Sequence, residues 1–600
     1  MSQRAGRYIK EVFGVQGDPD LWEDRRKRLA LRKYGGLKSD IEAELNQDET
    51  DDCPSPSTKG FFAKTVWDQV KLGRITPFGS RTKDPSKAES SYDISHSIND
   101  SIDTGGNFNI QLHDINPLPI ERHYQRTKFA RVVSRTRRTI DETDDFRPYF
   151  TYWITATQFI IMVISICLYG IGNFDVTLYE RVGLVLTESL TLDQVNVAEP
   201  GNIWFGPRPA DLIHLGATFS PCMRVDESIM EEIAKDRKNE KANSGCCIRN
   251  DNSGCVQTTR DACSTLLSTF HSWTDGEGPE GRIYGPVCGQ DPRFCVSPSS
   301  TAAHIWPDDI SRWPICHKAS RTDIGHPPHM TCELIGRPCC VGIHGKCEIR
   351  TEEYCRWVRG TFHLEANLCS QVSCLQDVCG MLPFIKSNKP DQIYRVMSSL
   401  FIHAGIIHFL ITLCVHLYSM RDLEKMCGPT RMAVIYFGSG IVGNLASAMF
   451  VPFRAESGPS PSLFGLLACH IVEIMQAWSY LRRPGLALLK FSVITFLLIV
   501  IGFAPWIDNY GHIFGFISGF FLSLAFLPYT AFKLNLHRRV ASVVSGVVVY
   551  ILMLVVLLVV FYVIPFFDCE LCRYLSCIPL TSDFCSVQNI NLKKDKGIIL

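Results

Sequence analysis

Long apolar stretches constrain this chain more than any other feature. A helix that crosses a bilayer needs about 20 mostly apolar residues, and residues 151–170 meet that requirement without an internal charge. Six further stretches of this kind follow, near residues 398–418, 432–452, 462–481, 488–506, 510–530 and 542–565. The pattern predicts an all-α polytopic membrane protein with seven spans, in which a long polar loop separates the first span from the rest.

The positions of Lys and Arg predict the orientation of these spans, because basic loops stay on the cytosolic side. Cations are dense in residues 122–138, before the first span, and they recur at alternate connections: Arg421, Lys425, Arg482, Arg483, Lys533, Arg538 and Arg539. We therefore expect a cytosolic N-terminus, and a luminal loop and C-terminal tail.

Cysteine usage agrees with this orientation. The first 150 residues contain only Cys53, whereas the loop and the C-terminal tail contain sixteen and four cysteines. Even counts on an oxidising side predict disulfide bonds. Zinc is the alternative, because Cys569 and Cys572 have ligand spacing and the loop contains His326 and His329. The disulfide candidates are Cys222, Cys246, Cys247, Cys255, Cys263, Cys288, Cys295, Cys316, Cys332, Cys339, Cys340, Cys347, Cys355, Cys369, Cys374, Cys379, Cys569, Cys572, Cys577 and Cys585.

Composition divides the chain into five expected segments. They are a cytosolic, largely disordered regulatory tail (1–148), the first span (149–172), a cysteine-rich luminal domain (173–395), a transmembrane core (396–531) and the seventh span with a luminal tail (532–600). Within the tail, residues 20–38 form either a basic amphipathic helix or a solvated charged segment, and we favour the second. The net charge of zero argues against a nucleic-acid partner, and no motif indicates a cofactor or a bound metal.

Two residues near the starts of different spans could form a nucleophile and its base. Ser460 lies in GPSPSLFGLL (458–467), and His512 lies in GHIFGFISG (511–519). A serine beside a histidine is a hydrolase arrangement. The more ordinary interpretation is that the serine is simply a loop residue and that the buried histidine only satisfies a backbone group. A third interpretation is a channel or transporter built on intramembrane histidines.

Other intramembrane residues are candidates for packing or recognition. Ionisable groups within a span are costly, so His470 and Glu473 in the fourth span indicate either a polar core or contact with a client protein. Gly515 and Gly519 have Gly-x-x-x-Gly spacing, which places both on one helix face and permits close helix packing.

The two motifs around Ser460 and His512 resemble the rhomboid intramembrane proteases. YRVMSSLFIHAGIIH resembles the first-loop and second-span pattern of the same proteases. Further segments, among them LIHLGATFSPC, HIWPDDISRWPIC and GRPCCVG, resemble the inactive rhomboids, or iRhoms, more specifically. The resemblance runs from about residue 140 to 585. It implies a rhomboid-like core of six helices, an extra C-terminal helix and a disulfide-rich luminal domain between the first two spans.

The resemblance also assigns vestigial catalytic positions. Ser460 falls on the nucleophile position and His512 on the base position. His408 falls on one oxyanion position, with Thr412 where active proteases have Asn.

Prolines flank the nucleophile position. Pro459 precedes Ser460 and has no N–H to offer an oxyanion, and Pro461 follows it and restricts the serine's backbone. We therefore expect no enzyme activity; the alternative is an active intramembrane serine protease that uses Ser460 and His512.

For function, the resemblance implies a pseudoprotease that binds transmembrane clients. The implied clients are an ADAM-type metalloprotease and epidermal growth factor family ligands, whose ER-to-Golgi transport or degradation it would control. The tail would bind 14-3-3 and FERM-domain proteins. The implied location is the endoplasmic reticulum membrane, extending to the Golgi and cell surface.

Overall fold

The fold is taken from a computed structural model that describes residues 19–39, 145–175, 178–272, 286–299, 306–320, 325–386, 389–527, 536–564 and 574–578. Residues 1–36 and 145–600 form one compact unit, to which all contacts below belong. Several predicted features lie outside the described residues, namely Cys53, the cations of 122–138, Cys569, Cys572 and Cys585.

Among the described residues, two helices precede the loop, α1 (Pro19–Lys33) and α2 (Tyr149–Tyr169), and α2 is the first predicted span. The N-terminal turn of α2 has no side-chain cap of its own. Glu424 supplies one from a distant helix, because its carboxylate accepts hydrogen bonds from the N–H groups of Phe150 at 2.8 Å and Thr151 at 2.7 Å. A carboxylate at a helix N-terminus is favoured by the helix dipole, so Glu424 anchors the first span to the helices that follow.

Residues 171–395, which we call the loop domain, contain short strands as well as helices. The all-α prediction therefore holds for the membrane part but not for this domain. Its strands form four antiparallel sheets with the orders β1-β2, β4-β3-β5, β6-β7 and β10-β8-β9. The strands are β1 (Leu178–Leu186), β2 (Leu192–Pro200), β3 (Ser244–Arg249), β4 (Cys255–Thr259), β5 (Ser268–His271), β6 (Cys295–Pro298), β7 (Cys316–Ala319), β8 (Arg337–Val341), β9 (Lys346–Arg350) and β10 (Thr361–Phe362). The helices are α3 (Pro209–Leu215), α4 (Ser220–Met223), α5 (Glu227–Asn243), α6 (Pro328–Thr331), α7 (Glu352–Trp357) and α8 (Cys374–Cys379).

Disulfide bonds join these small sheets. All sixteen loop cysteines are paired, as Cys222–Cys379, Cys246–Cys288, Cys247–Cys263, Cys255–Cys332, Cys295–Cys316, Cys339–Cys355, Cys340–Cys374 and Cys347–Cys369. Cys577 of the C-terminal tail is also disulfide-bonded. Strands this short cannot build a large hydrophobic core, and cross-links replace it in small domains. A sulfur in a disulfide bond is not available as a thiolate ligand. The loop cysteines therefore do not form the zinc site that was the alternative.

The remaining helices form the membrane bundle. Within the described residues, six helices are long and apolar enough to cross a membrane, which confirms a multi-pass protein. The remaining predicted span, the fourth (462–481), corresponds to the 17-residue helix Ser460–Gln476, which is largely buried. The bundle helices are α9 (Arg395–Ser398), α10 (Ile406–Val415), α11 (Arg421–Cys427), α12 (Pro429–Phe450), α13 (Ser460–Gln476), α14 (Pro484–Ile501), α15 (Asn509–Phe526) and α16 (Leu536–Val563).

The second span begins later than predicted. It runs from Ile406 to Cys427, through α10, a π-helical turn and α11, instead of over 398–418. The apolar residues before it pack against the loop domain, where the N–H of Ile406 donates to the carbonyl oxygen of Phe205 at 3.0 Å. A Cβ at Gly405 would lie 2.1 Å from the carbonyl oxygen of Trp204, so only glycine fits this contact.

Glycines allow α13 and α15 to approach closely. A Cβ at Gly515 would lie 2.3 Å from the carbonyl oxygen of Pro461, and one at Gly519 would lie 2.3 Å from the Cα of Gly465. Helix association in a bilayer depends on such packing, because lipid chains are as apolar as the side chains. The Gly-x-x-x-Gly face therefore brings the two helices that carry Ser460 and His512 together.

Arg395 joins the loop domain to the bundle. Its side chain is fully buried, and one guanidinium nitrogen donates to the carbonyl oxygens of Ile213 at 2.7 Å and Ala217 at 2.9 Å. The other donates to the carbonyl oxygen of Cys379, and Nε donates to Gln392 at 2.7 Å. The guanidinium thus satisfies carbonyl groups at the C-terminal ends of α3 and α8.

Replacing Arg395 by alanine should lower the free energy of unfolding by at least about 2 kcal/mol, because the buried carbonyl oxygens of Ala217 and Cys379 lose their donor at roughly 1 to 3 kcal/mol each, whereas that of Ile213 keeps the Gly216 N–H at 3.0 Å. Thermal unfolding of the purified chain measures this loss. Arg356→Ala is the matched control, because the Arg356 side chain is 77% exposed and its pair with Glu352 contributes little. Equal unfolding temperatures for the two variants would contradict the assignment of Arg395.

Candidate functional site

The vestigial catalytic residues line a cavity of about 940 Å³ between α10, α13 and α14. Ser460, His512 and His408 all face it. Thr412 and the prolines Pro459 and Pro461 are not among its lining residues. The structure therefore brings the serine and both histidines to one space.

Ser460 is the first residue of α13 and is half-buried. Pro459 immediately before it has φ −83° and ψ 16°, and offers no N–H at the entrance of the helix. Gly458 has φ +110°, and a Cβ there would lie 2.3 Å from the His408 ring. The turn before the serine therefore requires glycine both for its backbone and for its contact with His408.

His512 lies in the first turn of α15, whose N-terminus Asp508 caps by accepting from the N–H groups of Tyr510 at 3.0 Å and Gly511 at 2.9 Å. The imidazole stacks on Phe464, with ring centroids 4.0 Å apart and an angle of 13°. Within the described part of the chain, His512 makes no hydrogen bond to Ser460, and its Nδ1 has no hydrogen-bond partner. The imidazole at the base position is therefore oriented by stacking on Phe464, and not by a hydrogen bond to a third catalytic residue.

One of the two oxyanion positions, Thr412, offers no free donor. The Thr412 hydroxyl donates to the carbonyl oxygen of His408, one helical turn earlier, at 3.1 Å, and Thr412 is fully buried. Its single proton is therefore used within its own helix. His408 packs against Trp204 with ring centroids 5.2 Å apart, and among the described residues its Nδ1 has no partner. An oxyanion at Ser460 would therefore have neither the Thr412 proton nor an N–H at position 459.

Helix α1 occupies the other end of the bundle. Arg26 is buried, and its guanidinium contacts the Glu473 carboxylate of α13 with distances of 2.5 and 3.1 Å. The same group donates to Gln476 at 2.6 Å. The interpretation of residues 20–38 as a solvated segment is therefore wrong. The opposite charge for Arg26 lies 447 residues away, so no local pattern in the sequence could reveal it.

His470 is held by the same part of the chain. Its Nδ1 lies 2.8 Å from the Tyr34 hydroxyl and its Nε2 lies 2.8 Å from the Ser419 hydroxyl. The ring stacks on Phe491 with centroids 4.7 Å apart. His470 and Glu473 thus contact residues of their own chain, which favours the polar-core interpretation over a client contact.

Comparison with known proteins places this geometry in a family. Residues 390–529 match the family model described as the Rhomboid domain. The curated "Inactive rhomboid protein 1" of Danio rerio is 46% identical over 472 residues, and its human counterpart is 47% identical over the same length. Human "Inactive rhomboid protein 2" is 45% identical over 475 residues. Each alignment covers 78% of this chain and 55% of the relative.

This chain belongs to the inactive rhomboid family. The family resemblance stated from the sequence is thereby confirmed, and so is the rhomboid-like core with its disulfide-rich insertion. The printed names describe those relatives as inactive. The chain spans about half the length of the curated relatives that it matches.

Replacing Arg26 by alanine should release α1 from the bundle, because an unpaired buried Glu473 costs about 3 to 5 kcal/mol. Amide hydrogen exchange across α1 in lipid nanodiscs measures the release. Lys27→Ala is the control, since its pairs with Glu23 and Asp24 lie within α1 itself and do not join the helix to the bundle.

The double variant Arg26→Leu/Glu473→Leu should restore the protection of α1, because two apolar residues replace a buried ion pair at little cost. Unchanged exchange in Arg26→Ala would show that the ion pair does not hold the helix.

Proposed function

We propose that this inactive rhomboid is a non-proteolytic pseudoprotease that binds transmembrane client proteins and controls their transport from the endoplasmic reticulum to the Golgi, or their degradation. The observation that carries the first half of this proposal is the hydrogen bond from Thr412 to the carbonyl oxygen of His408, beside a serine that follows Pro459. Both features remove hydrogen-bond donors from the place where a tetrahedral intermediate would carry its negative charge.

The size of this effect supports loss of proteolysis. Removing one oxyanion donor typically slows an enzyme about 100- to 1000-fold. Two such losses, taken as additive, amount to roughly 10,000- to 1,000,000-fold. The missing hydrogen bond between Ser460 and His512 among the described residues is weaker support, because such bonds often tighten only when substrate binds.

An active intramembrane serine protease is the second candidate. One observation favours it: Ser460 and His512 line the same cavity, so a nucleophile and a base share one space. It requires oxyanion donors other than Thr412 and the N–H that Pro459 lacks.

A fluorophosphonate probe should not label Ser460 in the purified chain, because the serine lacks a base within hydrogen-bonding distance among the described residues and the phosphoryl oxygen has lost the Thr412 proton and the N–H at position 459. Labelling is measured by mass spectrometry of the Ser460 peptide. His512→Ala is the control variant. Labelling that depends on His512, together with cleavage of a transmembrane substrate, would establish the protease alternative.

Client binding is proposed for the first span and the loop domain. The outward face of α2 exposes Trp153, Phe159, Ile160 and Leu168, with 50 to 68% of each residue accessible. Such a face fits an apolar helix of a client through van der Waals packing in the bilayer. The loop domain adds a large surface that covalent cross-links keep rigid, which lowers the entropy lost on binding.

The proposed clients are an ADAM-type metalloprotease and epidermal growth factor family ligands. The N-terminus would lie in the cytosol and the loop domain in the lumen, which agrees with eight disulfide bonds in that domain. We place 14-3-3 and FERM-domain proteins on the N-terminal tail, as partners that would regulate transport.

Replacing Phe159 and Ile160 together by alanine should reduce co-purification of a co-expressed ADAM-type metalloprotease, because α2 loses the side chains that would interdigitate with the client helix. The matched control is Val555→Ala/Val556→Ala on α16, where the two residues are about equally exposed at 48 and 50%. Equal recovery of the client with both double variants would reject α2 as the binding surface.

A further inference from the structure

Strands β1 and β2 form a sheet of two strands, so each of its edges lacks a neighbouring strand among the described residues. Where the hairpin turns, the N–H of Thr187 donates to the carbonyl oxygen of Thr191 at 3.0 Å. Antiparallel ladders alternate between bonded and non-bonded pairs, so Val182 and Leu184 belong to non-bonded pairs. Their N–H and carbonyl groups therefore point away from β2, to the outer edge of β1.

The carbonyl group of Leu186 confirms this direction. It lies on the same edge and accepts a hydrogen bond from the Thr351 hydroxyl at 2.6 Å. Among the described residues, the backbone groups of Val182 and Leu184 have no such partner. A row of unpaired N–H and carbonyl groups on a strand is a template for one further extended strand. The edge of β1 is thus complementary to an extended polypeptide.

The outer face of the sheet is apolar next to this edge. Val182 and Leu184 of β1 are 51 and 70% exposed, and Leu192 of β2 is 65% exposed. Proteins usually protect an open edge with charged residues or proline, and the two outward-facing positions of β1 have neither. The corresponding positions of β2 are the polar residues Gln194 and Asn196. The edge of β1 is therefore the one suited to a strand with apolar side chains.

Strand β1 begins beside the membrane bundle. Its first residue pairs with Pro200 at the end of β2, and the chain then reaches Phe205, whose carbonyl oxygen accepts from the N–H of Ile406 at the start of α10. The turn at the other end of the hairpin contacts the loop domain, where Arg350 pairs with Glu188 at 2.5 Å. A polypeptide that leaves the bilayer beside α2 therefore emerges near the start of β1.

A second copy of this chain does not fit the edge. Copies in one membrane share their orientation, so two β1 strands would run in the same direction. A two-fold axis along these strands places N–H opposite N–H and carbonyl opposite carbonyl at every height, and no ladder can form. Pairing of β1 with β2 of another copy would not close and would leave free edges at both ends. The partner strand therefore belongs to another polypeptide.

We propose that the edge of β1 binds an extended segment of a client protein, directly next to the client's transmembrane helix, as a third strand of the β1–β2 sheet. This inference rests on the proposed client binding and adds its site and its chemistry. In strand addition, main-chain hydrogen bonds provide affinity and alternate side chains provide specificity. The client segment carries apolar residues at alternate positions, which pack beside Val182 and Leu184.

Substitution of Leu184 tests the edge without breaking the hairpin. Leu184→Pro removes an N–H that points away from β2, so the ladder with β2 keeps its hydrogen bonds. Recovery of a co-expressed ADAM-type metalloprotease on this chain should fall roughly 2- to 10-fold, as expected for one lost backbone hydrogen bond. Gln194→Pro is the matched control, because Gln194 is paired with Leu184 and its N–H points to the opposite edge. It should recover the client as the unchanged chain does.

Leu184→Lys, with Gln194→Lys as its control, gives the same test if the proline variants do not fold, because a lysine on an edge opposes strand addition. Substituting Val182 by the photo-crosslinker p-benzoylphenylalanine then identifies the neighbour. Mass spectrometry should locate the crosslink in the client residues that adjoin its transmembrane helix.

Two kinds of failure are distinguishable. Equal recovery of the client by the variants at positions 184 and 194, a crosslink to a second copy, or no crosslink to a recovered client would each overturn strand addition and leave client binding through α2 intact. If the unchanged chain recovers no client, the proposed function fails, and strand addition fails with it.

Discussion

The buried guanidinium of Arg395 is the contact on which the joint between membrane bundle and loop domain depends. A charge without water is tolerated only when its donors are satisfied, and here the acceptors are carbonyl groups at the ends of α3 and α8. One side chain therefore bonds the bundle to both helices. The Cys222–Cys379 disulfide also joins α4, which follows α3, to the C-terminal end of α8. Because Arg208 immediately precedes α3, this joint also positions the Arg208 side chain, which lines the cavity.

At the vestigial site, the positions of the nucleophile and base side chains are retained, whereas hydrogen-bond donors that the reaction needs are lost. Gly515 and Gly519 hold α15 against α13, so Ser460 and His512 still face one cavity. This packing stabilises the bundle whether or not the site catalyses a reaction. Oxyanion stabilisation depends instead on a few N–H and O–H groups aimed at one point. Proline at 459 and a threonine bonded to its own helix remove them without disturbing the fold.

Properties carried by short segments could be predicted from the sequence, and pairings between distant segments could not. Each span is a local run of apolar residues, and the motifs around Ser460 and His512 are local too. The second span was predicted too early in the chain, at 398–418, because apolar residues that pack against the loop domain have the same composition as residues that contact lipid. The short strands, the disulfide partners and the Arg26–Glu473 pair all join residues far apart in the chain. Apolar patterning carries no information about such partners.

The polar groups of the bundle separate into two sets, which differ in whether they join helices. Glu473 and His470 are bonded to α1 and its following turn, and His416 lies 2.8 Å from the Thr155 hydroxyl of the first span. These groups fasten helices to one another, as buried ionisable residues must be paired. His408 and His512 have a ring nitrogen without a partner among the described residues, and both face the cavity. Their unpaired nitrogens are buried, so these two rings shape the cavity wall through stacking on Trp204 and Phe464 and do not bond helices together.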